Sequence, residues 1–126
     1  MNVATYDLTG KVAIITGSTR GIGKAIAETM AHYGASVVIT GRKQEACDAV
    51  ANEIKAAGGK ALGVATDVTS AEARDNLVAK TVAEFGRIDI LVNNAGLGGE
   101  PVKMIEMDEG YFDKYVDADY KGLYFM

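Results

Sequence analysis

Hydrophobic and polar positions along the chain fall into two alternating patterns. Short runs dense in Val, Ile and Leu occupy residues 11–16, 36–40, 61–66 and 88–92. Between them, 22–33, 43–57 and 70–85 carry apolar residues spaced by three and four, such as Ile22, Ile26, Met30 and then Cys47, Val50, Ala51, Ile54. The first pattern predicts strands and the second amphipathic helices. Punctuation supports the division. Gly34 stands where the first helix should stop, and Gly58-Gly59 end the second. Thr69 precedes the third helix with Glu72 three residues on, the spacing of a capping box. The predicted order is β-α-β-α-β-α-β.

Strands joined by helices run parallel with right-handed crossovers, and such sheets are covered on both faces. Residues 12–15 and 88–92 are apolar nearly throughout, which predicts strands buried on both sides. The expected fold is an α/β, Rossmann-type doubly wound parallel sheet of order 3-2-1-4 with flanking helices. Its first and fourth strands lie side by side at a topological switch point, and ligands bind there at the carboxyl ends of the strands.

The loop 16–23 occupies that end. It reads Thr16-Gly17-Ser18-Thr19-Arg20-Gly21-Ile22-Gly23 and leads straight from the first strand into a helix. Glycines at 17, 21 and 23 remove the Cβ atoms that would block a tight turn and keep a pyrophosphate from the backbone. The helix start offers free N–H groups and about half a positive charge to that anion. The spacing is G-x-x-x-G-x-G, not G-x-G-x-x-G, because Ile26 stands at the third glycine position of the latter. A dinucleotide that carries only ribose hydroxyls calls for Asp or Glu at the end of the second strand. Here that strand ends Ile39-Thr40-Gly41-Arg42-Lys43, without a carboxylate. Arg42 offers a planar fork to a 2′-phosphate, so NADP(H) is expected over NAD(H).

Beyond the fourth strand, residues 98–107 with Pro101 predict a loop, and a fourth helix is expected from Asp108. Its stripe is Phe112, Val116, Asp119, Leu123, Met126, which sets Asp119 on the apolar side. An ionised carboxylate buried there would cost several kcal/mol without a partner, nearby water or protonation. The helix reaches Gly122-Leu123-Tyr124-Phe125-Met126 with an apolar face still open, and the fourth strand would be a sheet edge. Residues 1–126 are therefore expected to be the N-terminal half of a dinucleotide-binding domain, cut within this helix.

Composition narrows the function classes. Apolar residues make up 48% and charged residues 24% of the 126, ordinary for a globular domain. A net charge of −4 without a Lys/Arg block argues against a nucleic-acid partner. No apolar run approaches the roughly 20 residues of a membrane span. Asp7 and Thr9 interrupt the place of a signal peptide, so the expected location is cytoplasmic. Cys47 is the sole cysteine and falls on its helix's apolar stripe, as a small core residue would. His32, the sole histidine, lies off the apolar face and reads as a surface residue, so neither a metal site nor a Ser-His-Asp arrangement is expected.

The glycine loop and Asn93-Asn94-Ala95-Gly96 after the fourth strand together resemble the short-chain dehydrogenase/reductase family. Asp67-Val68 after the third strand and Lys121-Gly122 match it as well, so the likeness runs from about Leu8 to Met126. The resemblance implies that the glycine loop holds the pyrophosphate and that Asp67, followed by Val68, contacts the adenine. It implies that Asn93, Ala95 and Gly96 line the ribose and nicotinamide side, and that Arg20 points toward the 2′-phosphate region. Asp119 stands where the family carries the Asn of its catalytic tetrad. An Asp accepts hydrogen bonds there but cannot donate an amide N–H. The family's Ser and Tyr-x-x-x-Lys lie beyond this half, and no Tyr-x-x-x-Lys occurs in the 126 residues.

The implied function is an NADP(H)-dependent oxidoreductase that passes hydride between the nicotinamide and a small-molecule carbonyl or alcohol. In that reading the complete protein is a homo-oligomer and the segment alone is inactive. Two alternatives stand beside it, a non-catalytic dinucleotide-binding module and an interaction fragment that pairs through the open edge and the 112–126 stripe.

Overall fold

The computed structural model describes residues 6–96 together with Glu109 and Met126. The expected fourth helix apart from those two residues, its loop and Asp119 lie outside the described residues. The elements follow the expected order: strand β1 (Val12–Ile15), helix α1 (Gly21–His32), β2 (Ser36–Gly41), α2 (Gln44–Ala56), β3 (Lys60–Ala65), α3 (Ala71–Phe85) and β4 (Ile90–Val92). The strands form one parallel sheet of order β3-β2-β1-β4.

Side chains alternate across this sheet, and each set meets its own helix layer. Ala13, Ile15, Val37 and Ile39 pack with Ala27 of α1 and with Cys47, Val50, Ala51 and Ile54 of α2. Ile14, Val38 and Val64 turn the other way, against Leu77 of α3. β1 is buried along its whole length, as its unbroken apolar run requires. Cys47 is a core residue whose thiol burial pushes upward, so it stays protonated at neutral pH. Gly34 and Gly58 follow α1 and α2 with φ of 103° and 93°, left-handed values that let the chain leave each helix. Among the described residues no helix is long and apolar enough to cross a membrane.

Three local expectations are corrected. Ile22 does not join the apolar face of α1; it is 75% exposed. The buried face of α1 is Gly23 and Ala27, with Ile26 and Met30 packed partly against the core. Ile22 stands in the first turn of α1 and lines an open cleft instead of the core. The cap of α3 is Ser70, whose Oγ accepts from the Ala73 N–H at 3.2 Å, and not Thr69. Thr69 is already committed, since its N–H and hydroxyl both donate to Asp67 Oδ1 at 2.9 and 2.6 Å. The fourth strand is not buried on both sides: Ile90 and Val92 are half-buried, and Leu91 is exposed. Among the described residues it pairs with β1 alone, which makes it the edge of the described part of the sheet.

Asp89 ties that edge to the sheet. Its Oδ2 accepts from the Val12 N–H at 2.9 Å, its own N–H donates to Val12 O, and Arg87 grips its Oδ1. The Arg87 guanidinium and the Val12 N–H hold its carboxyl below the usual 3.8. A depressed carboxyl contributes stability above its unfolded pKa and loses it as pH falls through the folded value. Asp89→Asn is expected to lower the melting temperature at neutral pH and to flatten the loss of stability below pH 3.8. Thermal melts across the acid range check this.

Candidate functional site

The carboxyl ends of β1, β2, β3 and β4 open into one cleft of about 710 Å³. Its β1–β4 wall is organised by Thr16. The buried Thr16 hydroxyl accepts from the N–H groups of Asn94 and Ala95, both at 2.9 Å, and lies 3.3 Å from Val92 O as donor. One hydroxyl thus uses its proton and both lone pairs to fold the segment after β4 against β1. Asn94 N–H also reaches Val92 O, whereas Ala95 N–H depends on Thr16. Thr16→Val is expected to destabilise the protein by about 2 kcal/mol by leaving Ala95 N–H unpaired. Denaturant unfolding of the variant checks this.

The glycine loop fits into that wall. Asn94 Nδ2 donates to Gly17 O at 3.1 Å. Gly17 has φ 64°, and a Cβ on it would stand 3.0 Å from Ala95 Cα. Gly23 is closer still. A Cβ there would be 2.3 Å from Gly17 O and 2.5 Å from Asn94 Nδ2, so only glycine lets α1 begin beneath the loop. α1 starts after Arg20, an extended residue that makes no side-chain cap, and no acid occupies the first turn. Its first N–H groups are therefore left to an external acceptor at the cleft, where Gly21 and Ile22 form the wall.

The β2 side brings Thr40, Gly41 and Arg42 to the cleft, and the β3 side brings Thr66, Asp67, Val68 and Thr69. Asp67 spends Oδ1 on Thr69, whose two bonds hold its carboxyl below the usual range, assisted by the Arg42 and Arg74 charges. The group is an anionic acceptor throughout the neutral range. Arg74 Nη1 donates to Val68 O at 2.6 Å and fixes the turn that presents it. Thr40 Oγ1 is buried with no hydrogen-bond partner among the described residues.

The cleft gathers most of the expected site residues: Gly17, Thr19, Arg20, Gly21 and Ile22 from the loop, Arg42, Asp67 and Val68, and Ala95 and Gly96. Three others lie off its wall. Ser18 is fully buried, its Oγ donating to Ile15 O at 2.7 Å and accepting from Thr40 N–H at 3.0 Å, while its own N–H donates to Thr40 O. It continues the β1–β2 ladder through the loop. Gly23 acts by close packing, and Asn93 is exposed away from the wall. Asp119 lies outside the described residues.

Sequence reasoning missed Thr16, Asn94, Gly41 and Gln44. Asn94 was within reach, because it sits inside the quoted Asn93–Gly96 run. Gln44 carries no such signal. Its amide donates to Gly63 O at 2.9 Å and accepts from Ala65 N–H at 2.8 Å, as a neighbouring strand would. It thereby pins the first residue of α2, two positions after Arg42, to β3.

The short chain dehydrogenase family model matches residues 11–126. The chain belongs to that family. It is similar to tropinone reductase-like 3 of Erythroxylum coca, 41% identical over 113 residues, covering 90% of this chain and 44% of the relative. It is similar to the 3-oxoacyl-[acyl-carrier-protein] reductase FabG of Haemophilus influenzae, 41% identical, covering 82% of this chain and 42% of that protein. Two solved structures share the fold closely. One is the 3-ketoacyl-(acyl-carrier-protein) reductase of Brucella melitensis complexed with NADH, 40% identical with a TM-score of 0.88, covering 95% of this chain and 48% of that one. The other is a metagenomic short-chain oxidoreductase in complex with NADP, 39% identical with a TM-score of 0.86, covering 93% and 53%. The chain spans about half the length of the curated relatives it matches.

Proposed function

We propose that this protein binds NADP(H) in the cleft and belongs to an oxidoreductase acting on a small-molecule carbonyl or alcohol. The observation that carries the cofactor reading is the end of β2. Gly41 and Arg42 line the cleft there with no carboxylate, beside an uncapped helix start. An acid at that place would repel a 2′-phosphate, whereas a guanidinium grips one.

The residues divide the work by chemistry. The first N–H groups of α1, reached over Gly17 and Gly21, take the pyrophosphate. Arg42 and Arg20 take the 2′-phosphate. Asp67, with Oδ1 held by Thr69, keeps Oδ2 for the amino group of adenine, and Val68 borders the same ring. Ala95 and Gly96, with Asn93 beside them, border the ribose and nicotinamide end. Asp119 stands at the family's Asn position and tempers proton relay there. When bound, the nicotinamide supplies or accepts the hydride. The fit is supported by Gly17 and Gly21, positive-φ glycines that line the cleft without a side chain, and by the Thr40 hydroxyl there, which has no partner among the described residues. Relatives whose solved structures carry NADH and NADP add to that support.

Adenosine fragments test the reading without any reaction. Adenosine 2′,5′-bisphosphate is expected to bind at least about tenfold more tightly than adenosine 5′-monophosphate, measured by calorimetry. Equal affinities would remove the 2′-phosphate reading.

A further inference from the structure

Gly41 is the last residue of β2, and Thr19 faces it across the mouth of the cleft. A Cβ built on Gly41 would stand 2.9 Å from Thr19 Cγ2, 3.3 Å from Thr19 Oγ1 and 3.7 Å from Thr19 Cβ. The backbone does not ask for glycine here, since Gly41 is not among the residues with positive φ. The three nearest atoms that a side chain here would meet all belong to Thr19.

Thr19 cannot easily give way. Its neighbour Ser18 is bonded to β2 in both directions, by N–H to Thr40 O at 2.9 Å and by Oγ from Thr40 N–H at 3.0 Å, so the loop cannot retreat as a body. Rotation about Cα–Cβ offers partial relief. A threonine has two γ heavy atoms for three staggered places, so only one place can be empty. Clearing the 2.9 Å place still leaves a heavy atom at the 3.3 Å one.

We propose that Thr19 is a specificity-determining residue that bars an acidic side chain from the end of β2. From there a carboxylate would accept the ribose hydroxyls of the unphosphorylated dinucleotide. Thr19 acts through the space it fills, and Arg42 acts through its charge. The inference rests on the reading of the cleft as an NADP(H) site.

The test combines cofactor affinity with a cofactor-free measurement on the purified protein. Gly41→Asp alone is expected to weaken NADPH binding and to gain no NADH affinity. Thr19→Ala combined with Gly41→Asp is expected to bind NADH about tenfold more tightly than Gly41→Asp does. The steric contact is read separately with Gly41→Ala, which adds only the Cβ. That change is expected to lower the melting temperature by about 4 °C with Thr19 present and by less than about 1 °C in the Thr19→Ala background. If the Asp variants fail to fold, the alanine pair decides.

Equal NADH gain with and without Thr19, or an equal melting loss in both backgrounds, overturns the inference and leaves the cofactor reading standing. A wild-type protein that binds NADH as tightly as NADPH overturns the cofactor reading, whatever the alanine pair shows.

Discussion

Gly23→Ala is expected to destabilise the protein by about 2 kcal/mol and to weaken dinucleotide binding at least about tenfold. Two opposing effects meet at this position. Gly23 lies in the first turn of α1, where alanine gains about 1 kcal/mol in helix propensity. Against that, the new Cβ would fall 2.3 Å from Gly17 O and 2.5 Å from Asn94 Nδ2. The nearer atom is backbone, so it cannot swing aside as a flexible side chain would. Overpacking of this kind costs about 1–3 kcal/mol, and loss of the Asn94–Gly17 bond adds about 1 kcal/mol. The steric side wins. Denaturant unfolding with a parallel NADPH titration checks it. A variant as stable as the wild type or more so would mean that propensity prevails and that the loop yields.

Arg42→Asp is expected to weaken NADPH binding about 100-fold while changing NADH binding less than about threefold. A guanidinium bonded to a phosphate contributes about 1.5–3 kcal/mol, and reversing the charge adds repulsion to that loss. The 2′-hydroxyl of NADH presents no such charge. The substitution also removes one of the cations near Asp67, but the two Thr69 bonds are the larger cause of that carboxyl's depression and remain. The adenine side should therefore persist, and the loss should be confined to the phosphorylated cofactor. Titration of both cofactors against the variant separates these outcomes. Equal losses for NADPH and NADH would mean that Arg42 supports the cleft generally and does not read the phosphate.

The sheet order and nearly all element bounds were legible because two periodicities alternate so regularly. The apolar runs fix strands, the three-and-four spacings fix helices, and a parallel sheet with right-handed crossovers leaves little topological choice. The errors sit where local pattern and position disagree. Ile22 has the spacing of a core residue but lies at the helix start, exposed on the cleft wall. Thr69 has the spacing of a cap but is consumed by Asp67.

The candidate site was legible where glycines and charges mark it, at Gly17, Gly21, Gly23, Arg42 and Asp67. It was not legible where a residue acts through three-dimensional contact. Thr16 and Gln44 look like ordinary polar residues in the chain. Their roles arise from backbone groups 78 or 79 residues away for Thr16 and 19 or 21 for Gln44. Thr19 and Gly41 belong to the same class, since neither alone predicts that one denies a side chain to the other.

The most direct test of the central claim is a titration of the purified protein with NADPH and with NADH, followed by reduced-nicotinamide fluorescence. The sequence contains no tryptophan, so indole emission does not overlap the signal. The account predicts saturable binding of both cofactors, with NADPH the tighter by at least about tenfold. Absence of binding by either, or a preference for NADH, would contradict it.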